Sequence, residues 1–391
     1  MSHLIEPIQQ SPLHVSSFLL ERKNRMTEPR LDLTIIISSY NTRDMLRTGI
    51  QSIYQHTRDI TYEIICVDDA SSDGSADMVA ETFPQVILVR NTVSQSYARN
   101  HNRGLRMARG RYACLLDSDT VLISNAFRAL VGFMDEHPDA AACGPKLLNP
   151  DMSVQHHIRS FASLGVFALQ TLNWHKLFPN SRLMNRYYNT DFDYSRAQQV
   201  QSIGTSLFVL RRSTWEQAGM LDERFRVALA DLAYNYMLKQ KGYKVFYTPC
   251  AEVVHCGGQS INQAPLKAMR EQCRSFITFN NSYNYFGKSW LTKAIVRLGI
   301  RFRYYTKVLG YYLGSDKRVI KGPGAPRKEV AAQLSLRGNF SARRAPSLVA
   351  ASPQRTSHPA PGPAESVHER PRQEPGHRAL IKQSPDAASR T

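Results

Sequence analysis

This chain has no apolar run of the roughly 20 residues that a membrane-spanning helix requires. It also lacks a cysteine framework. Its six cysteines show no paired CxxC spacing, which argues against a disulfide scaffold or a structural zinc site. Cys250, His255 and Cys256 lie close in sequence but without that spacing, while Cys66 and Cys114 sit inside apolar runs, as small buried thiols of a reducing compartment do. A secretory signal is not evident, because Glu6, Pro7 and Pro12 interrupt the start and no long apolar core follows. A cytoplasmic location is expected. Acidic residues are in deficit: 32 against 50 basic residues gives a net charge of +18, which points to an anionic partner such as a nucleotide, a nucleic acid or an acidic membrane.

What is present is most informative at Tyr112-Ala-Cys-Leu-Leu-Asp-Ser-Asp-Thr120. The apolar run reads as a buried strand. It ends in Asp117 and Asp119, one residue apart. Carboxylates at such a place must be paired or hold a cation, since a bare buried charge is costly. Oxygen ligands suit Mg²⁺ or Mn²⁺. Alone, a pair of this kind is equally a turn at a strand end.

The surrounding pattern adds weight. From Leu33 the chain alternates strand and helix signals: Leu33–Ser38, a helical spacing at Met45, Leu46, Ile50 and Ile53, then Tyr62–Val67, a helix through Glu81, Val86–Val89, and a helix around Ala98–Met107 before the fourth strand. This predicts an α/β fold, a mostly parallel sheet with helices on both faces. Ligands of such sheets bind beyond the carboxyl ends of the strands, where Tyr40-Asn41, Asp68-Asp69 and Asp117–Asp119 all fall. Residues 155–200 show little periodicity. Further strands are expected at Gly204–Arg212, Tyr243–Thr248 and Ala251–His255, a short helix from Trp215, and a helix from Asp231 to Lys241. In residues 288–310, Leu291, Ile295, Leu298, Phe302, Tyr305 and Leu309 recur at steps of three and four, with Lys293, Arg297, Arg301, Arg303 and Lys307 mostly opposite. That is a basic amphipathic helix, either docked on an anionic membrane or packed on the domain with a solvated basic face. The expected organisation is a flexible leader over 1–30, with Met26 a candidate start, a globular domain over 31–285, the amphipathic region over 286–320, and a disordered Pro-, Ser- and Arg-rich tail over 321–391.

Taken together, these motifs resemble a family-2 glycosyltransferase of the GT-A, Rossmann-like fold, in the rhamnosyltransferase-like group of bacterial surface-polysaccharide synthesis. The segments that carry the resemblance are Ser39-Tyr40-Asn41, Val67–Ser75, Asn102-Arg-Gly104, Asp117-Ser-Asp119, Gly144–Pro150, Leu221–Phe225 and Ala251–Gly258. The resemblance implies a metal-dependent, inverting transfer from a nucleotide-diphosphate sugar to a lipid-linked saccharide. It implies that Tyr40, Asn41, Asp68, Asp69, Asn102 and Asp117 bind the donor, that Asp117, Asp119 and His255 hold Mg²⁺ or Mn²⁺, and that Asp231 is the general base. His255 is otherwise a structural histidine, and Asp68 otherwise only a turn former. Asp231 is otherwise a helix cap. Two departures stand out: Ala230 and Ala233 occupy positions where the family usually has acids. They favour the alternative of a non-catalytic nucleotide-sugar-binding homologue acting as partner or regulator, against which the retained Asp117, Asp119 and Asp231 argue. No nucleic-acid partner is expected, since the basic excess lies partly in one helix and the tail. A protein peripheral to the inner face of the membrane is.

Overall fold

The computed structural model describes residues 31–172, 174, 178, 181–226, 228–257 and 265–313. The expected leader and tail lie outside these residues. The strands are β1 (Leu33–Ser39), β2 (Tyr62–Asp68), β3 (Ile87–Arg90), β4 (Tyr112–Asp117), β5 (Thr120–Leu122), β6 (Ala140–Leu148), β7 (Ile158–Arg159), β8 (Gln198–Val200), β9 (Ser202–Ile203), β10 (Leu207–Arg211) and β11 (Lys244–His255). The helices are α1 (Arg43–His56), α2 (Ser75–Thr82), α3 (Tyr97–Met107), α4 (Ala126–Glu136), α5 (Leu164–Thr171), α6 (Arg182–Tyr188), α7 (Arg212–Gln217), α8 (Ala230–Gln240), α9 (Pro265–Tyr283) and α10 (Trp290–Tyr312).

The main sheet runs β3-β2-β1-β4-β10-β6-β11-β5, with β8 also paired to β11. Its first four strands are parallel, and β10 enters antiparallel between β4 and β6. β7 and β9 form a separate small ribbon. Alternation along β1 divides the core as a strand must. Ile35 and Ile37 face a cluster with Leu46 and Ile50 of α1, Val79 of α2 and Phe127 and Leu130 of α4. Ile36 faces a second cluster with Leu105 of α3, Trp215 of α7, Tyr234 of α8 and Phe279 of α9. Helices therefore cover both faces, as the alternating pattern predicts. At Gly104 a Cβ would lie 2.3 Å from Cγ2 of Ile36, so only glycine lets α3 sit this close to β1.

The C-terminal helix packs on the domain, but not by the face that the packed reading expects. Val296 and Ile300 are its buried residues, and it packs on α5 and α9. Lys293, Arg303 and Lys307 are on the packed side, reaching the Asn281 carbonyl, Gln170 and Gln272 respectively. The predicted apolar stripe is the face left in solvent: Leu298 is 71% exposed and Tyr305 67%. The domain offers polar acceptors to the long cationic side chains, whose stems pack while their heads hydrogen-bond. Among the described residues, no helix is long and apolar enough to cross a membrane.

Candidate functional site

Strand order reverses between β1 and β4, which leaves a crevice at their carboxyl ends. Parallel register aligns those ends: Ser39 sits opposite Asp68, and Ser38 opposite Asp117. Three of the expected clusters thus meet on one edge. The Asp117-Ser-Asp119 turn is held from several sides. Thr42 donates its hydroxyl to Ser118 Oγ at 2.8 Å, Asp117 N donates to the Ser206 carbonyl at 3.0 Å, and Cys256 N donates to the Asp119 carbonyl at 3.0 Å. Gly49 of α1 supports the turn from behind, since a Cβ there would lie 2.9 Å from the Thr120 carbonyl oxygen.

His255 arrives from far along the chain. β11 runs antiparallel to β5 and pairs His255 with Thr120, which sets the ring beside the two carboxylates. Its Nε2 lies 3.6 Å from Asp117 Oδ2 and 3.4 Å from Asp119 Oδ1. One ligand atom from each of the three residues lies within 4.8 Å of the others. Nδ1 of His255 is 2.7 Å from the Gln155 amide oxygen, so Nδ1 donates and Nε2 is left to face the carboxylates. Gln155 is itself steadied by Asn149, to which its amide nitrogen donates at 2.9 Å. Two carboxylates and one oriented imidazole are a donor set that fits Mg²⁺ or Mn²⁺. The electrostatics agree. Burial pushes the Asp117 carboxyl up, and the Asp119 charge adds to it, while His255 opposes. Burial pulls His255 down, but its hydrogen bond to Asp119 and the charges of Asp119 and Asp117 outweigh this and leave it raised. A cation would replace that proton.

The remaining expected residues divide. Tyr40 is exposed at the crevice, and Asn41, with φ of 51°, accepts from Ser72 N at 2.8 Å. Asp68 accepts from Ser71 N at 2.9 Å through Oδ2, while its buried Oδ1 has no partner among the described residues. Asp69 spends both oxygens on the loop that leads into α3, accepting from Gln95 N at 2.7 Å, Ser94 Oγ at 2.7 Å and Asn91 Nδ2 at 3.1 Å. Asn102 is not brought to the crevice contacts at all. Its side chain is buried and bridges to Leu221, with Nδ2 donating to the Leu221 carbonyl at 2.8 Å and Oδ1 accepting from Leu221 N at 3.0 Å. It fastens α3 to the 221–223 turn.

Asp231 lies in the first turn of α8. It is not the N-cap: Leu229 holds that position in the left-handed region (φ 66°), and among the described residues no side chain caps the helix. Asp231 Oδ1 accepts from Leu232 N at 2.8 Å, and Asn235 Nδ2 ties the Asp231 carbonyl at 2.8 Å. Burial raises the Asp231 carboxyl. Its charge is felt at Asp117 and at Tyr97, whose hydroxyl meets Thr205 Oγ1 at 2.7 Å. The base candidate and the carboxylate–imidazole cluster are therefore electrostatic neighbours. Ala230 and Ala233 are buried in the core at 4% and 0% exposure, where an added carboxylate would have to be buried too.

Gln155, Thr42 and Ser206 carry no sequence signal of their own, and Asn149 falls in a motif segment without a role read for it. They are found only through what they touch.

Comparison with known proteins follows the same lines. The model for the family described as Glycosyl transferase family 2 matches residues 34–214. The chain is 26% identical to the O-antigen biosynthesis protein RfbC of Myxococcus xanthus over 227 residues, 57% of this chain and 17% of that protein. It is 26% identical to the N-acetylglucosaminyl-diphospho-decaprenol L-rhamnosyltransferase of Mycobacterium tuberculosis over 231 residues, 55% of this chain and 73% of that one. The chain thus spans a small part of the first and about three quarters of the second. Among solved structures, it is similar to the mannosyltransferase PcManGT of Pyrobaculum calidifontis in complex with GDP-Man and Mn²⁺, at 17% identity and a TM-score of 0.44, covering 83% of this chain and 89% of that one.

Proposed function

We propose, on the premise that the chain belongs to glycosyl transferase family 2 through residues 34–214, that it is an inverting glycosyltransferase of cell-surface polysaccharide synthesis. Its donor is a nucleotide-diphosphate sugar and its acceptor a saccharide on a lipid diphosphate. The observation that carries this reading is the Asp117–Asp119–His255 cluster at the switch point of the sheet, with Asp231 close enough for its charge to reach Asp117. The relative named for a diphospho-decaprenol substrate supports the acceptor class.

In this reading Tyr40, Asn41 and Asp68 line the site of the donor's base and ribose, and Asp69 shapes the loop beside them. Asp117, Asp119 and His255 hold Mg²⁺ or Mn²⁺, which when bound supplies Lewis-acid stabilisation of the charge on the departing diphosphate. Asp231 removes the proton of an acceptor hydroxyl. The freed oxygen attacks the anomeric carbon from the face opposite the nucleoside diphosphate, the carbon–phosphate-oxygen bond breaks, and the configuration inverts. Incubating the protein with UDP-, GDP- and dTDP-sugars and Mn²⁺ tests this directly. One sugar class is expected to raise Tm only with metal present, and then to be transferred to a prenyl-diphosphate saccharide. A flat response across the panel sinks the reading.

The exposed stripe of α10 belongs to the same proposal. Trp290, Leu298, Phe302 and Tyr312 stand in solvent, and α10 carries no acidic residue. Exposed Arg297 and Arg301 flank the stripe, and Lys288 precedes it. An apolar band of this length edged by cations fits an anionic lipid surface, where each cation adds roughly 1 kcal/mol. Sedimentation with acidic vesicles is expected to pull down the protein at low salt and release it in part at high salt. Leu298→Glu with Phe302→Glu is expected to cut the bound fraction about tenfold or more without lowering Tm, since both side chains are already in water. If the wild type stays unbound and sediments as a dimer, the stripe is instead a contact between copies.

A further inference from the structure

Beneath α10 lies a cavity of about 230 Å³, bounded by β7, β9, the first turn of α8, α9 and α10. Its walls are largely aromatic and aliphatic, with Phe167, Phe276 and Ile300 among them, but its charged lining is one-sided. Among the described residues that line it, Asp231 is the one carboxylate; Arg159, Arg303 and Lys307 are cations, and His157 is a fourth nitrogen group. Arg303 donates to Gln170 Oε1 at 2.7 Å, and among the described residues it has no carboxylate partner. Burial pulls its guanidinium pKa down. Arg159 donates to the Ile158 carbonyl at 2.8 Å and lies over the Tyr188 ring, again with no acid in reach among the described residues. Nε2 of His157 is buried without a partner among them. Arginines whose hydrogen bonds in a partly apolar cavity go to neutral groups, as those of Arg303 and Arg159 do, are costly unless an anion completes the site. A guanidinium fork matches phosphate oxygens in particular.

We propose that this cavity binds the diphosphate of an amphiphilic acceptor, with Arg303 and Arg159 as its main partners. One face of α10 then belongs to the acceptor site while the other meets the membrane. The inference rests on the transferase reading for what the amphiphile is, not for whether it binds. The cavity is below the about 300–1,000 Å³ of sites that enclose a drug-sized ligand, so it suits a diphosphate and the groups next to it rather than a long lipid chain. Asp231 at the same cavity places the base on the acceptor side.

The probe is farnesyl diphosphate, titrated by calorimetry in EDTA and without donor, so that no metal-bound diphosphate forms at Asp117 and Asp119. The wild type is expected to bind it. Arg303→Gln and Arg159→Gln are each expected to weaken binding by roughly ten- to a hundredfold, as the loss of a charge-assisted hydrogen bond should. Both variants are expected to bind nucleotide with Mn²⁺ as the wild type does, which certifies their fold; if one fails there, the other decides. Farnesol is expected to bind at least tenfold more weakly. No binding by the wild type, equal binding of farnesol, or unchanged affinity in the folded variants overturns the proposal. Dihexanoyl phosphatidate binding as tightly as farnesyl diphosphate also overturns it, in favour of a lipid-headgroup site. Loss of turnover with every donor alongside intact, arginine-dependent binding would sink the transferase reading alone.

Discussion

Asp119→Ala is expected to remove metal-dependent donor binding, at least about a hundredfold in affinity, while the fold survives. The Asp119 side chain is buried beside His255 Nε2, whereas the turn it sits on is held by its backbone carbonyl and by Ser118. Truncation therefore deletes the proposed ligand without deleting the scaffold. It leaves Asp117 and His255, too few charged donors to hold a hard dication well. The expected loss exceeds the ten- to hundredfold that removing a mere supporting contact costs. A second readout does not depend on donor. Asp119 contributes the hydrogen bond and the leading charge that oppose burial at His255, so its removal should lower the His255 pKa in the metal-free protein. Calorimetry with nucleotide and Mn²⁺ checks the first claim, and imidazole titration by NMR the second. Unchanged affinity would show that the cation, if any, binds elsewhere.

Much of this site was legible in the sequence because it sits where local pattern ends. Tyr62–Asp68 and Tyr112–Asp117 are buried runs that stop at a carboxylate, and parallel strands bring such stops to one edge whatever else the chain does. His255 is a different case. Only the long-range pairing of β11 with β5 places it, and residue spacing contains no trace of that register. Gln155 lies in the stretch that read as aperiodic, and its reason for being there is a bond to His255, 100 positions away. The two strands expected at Tyr243–Thr248 and Ala251–His255 are one strand whose register against β6 shifts between Tyr247 and Glu252, around Pro249. Proline removes a ladder donor there, and the pairing resumes beyond it in a shifted register.

Tertiary context also reversed some local readings. The strand expected from Gly204 begins only at Leu207; Thr205 Oγ1 meets the Tyr97 hydroxyl, and the Ser206 carbonyl accepts from Asp117 N. Asn102 reads as a donor contact by resemblance, yet its amide is consumed by Leu221. α9 gave no clear signal, since its buried residues (Met269, Ser275, Phe279 and Asn280) include two polar ones. Amphipathic spacing identified α10 but assigned its apolar side to the interior or to lipid without deciding between them. The packing of Val296 and Ile300 on the opposite side settles which face the domain takes.

Asp231→Asn is expected to lower kcat by about two decades or more while leaving donor affinity unchanged, the loss typical of a missing general base. The structure lets this substitution be read cleanly. Leu229, not Asp231, is the N-cap, and among the described residues the Asp231 side chain accepts only from Leu232 N, which an asparagine oxygen can still do. The Asn235 bond goes to the Asp231 backbone and is untouched. Stability should not fall. The sign of the pH effect follows from burial. A carboxyl whose pKa is raised keeps its proton to higher pH than a free one, and only its deprotonated form can take a proton. Turnover at saturating metal and donor should therefore decline on the acid side above the ordinary carboxylate range, and the variant should lose that limb. Asp117 is raised as well, but in the proposed role its limb would appear in metal and donor binding and be separated by saturation. Steady-state rates across pH, with both substrates varied, distinguish the two. If kcat stays near wild type, Asp231 only shapes the helix start. If the parent itself transfers no sugar to a prenyl-diphosphate saccharide while still binding the nucleotide sugar, the buried alanines at 230 and 233 mark a binding protein that has lost its reaction.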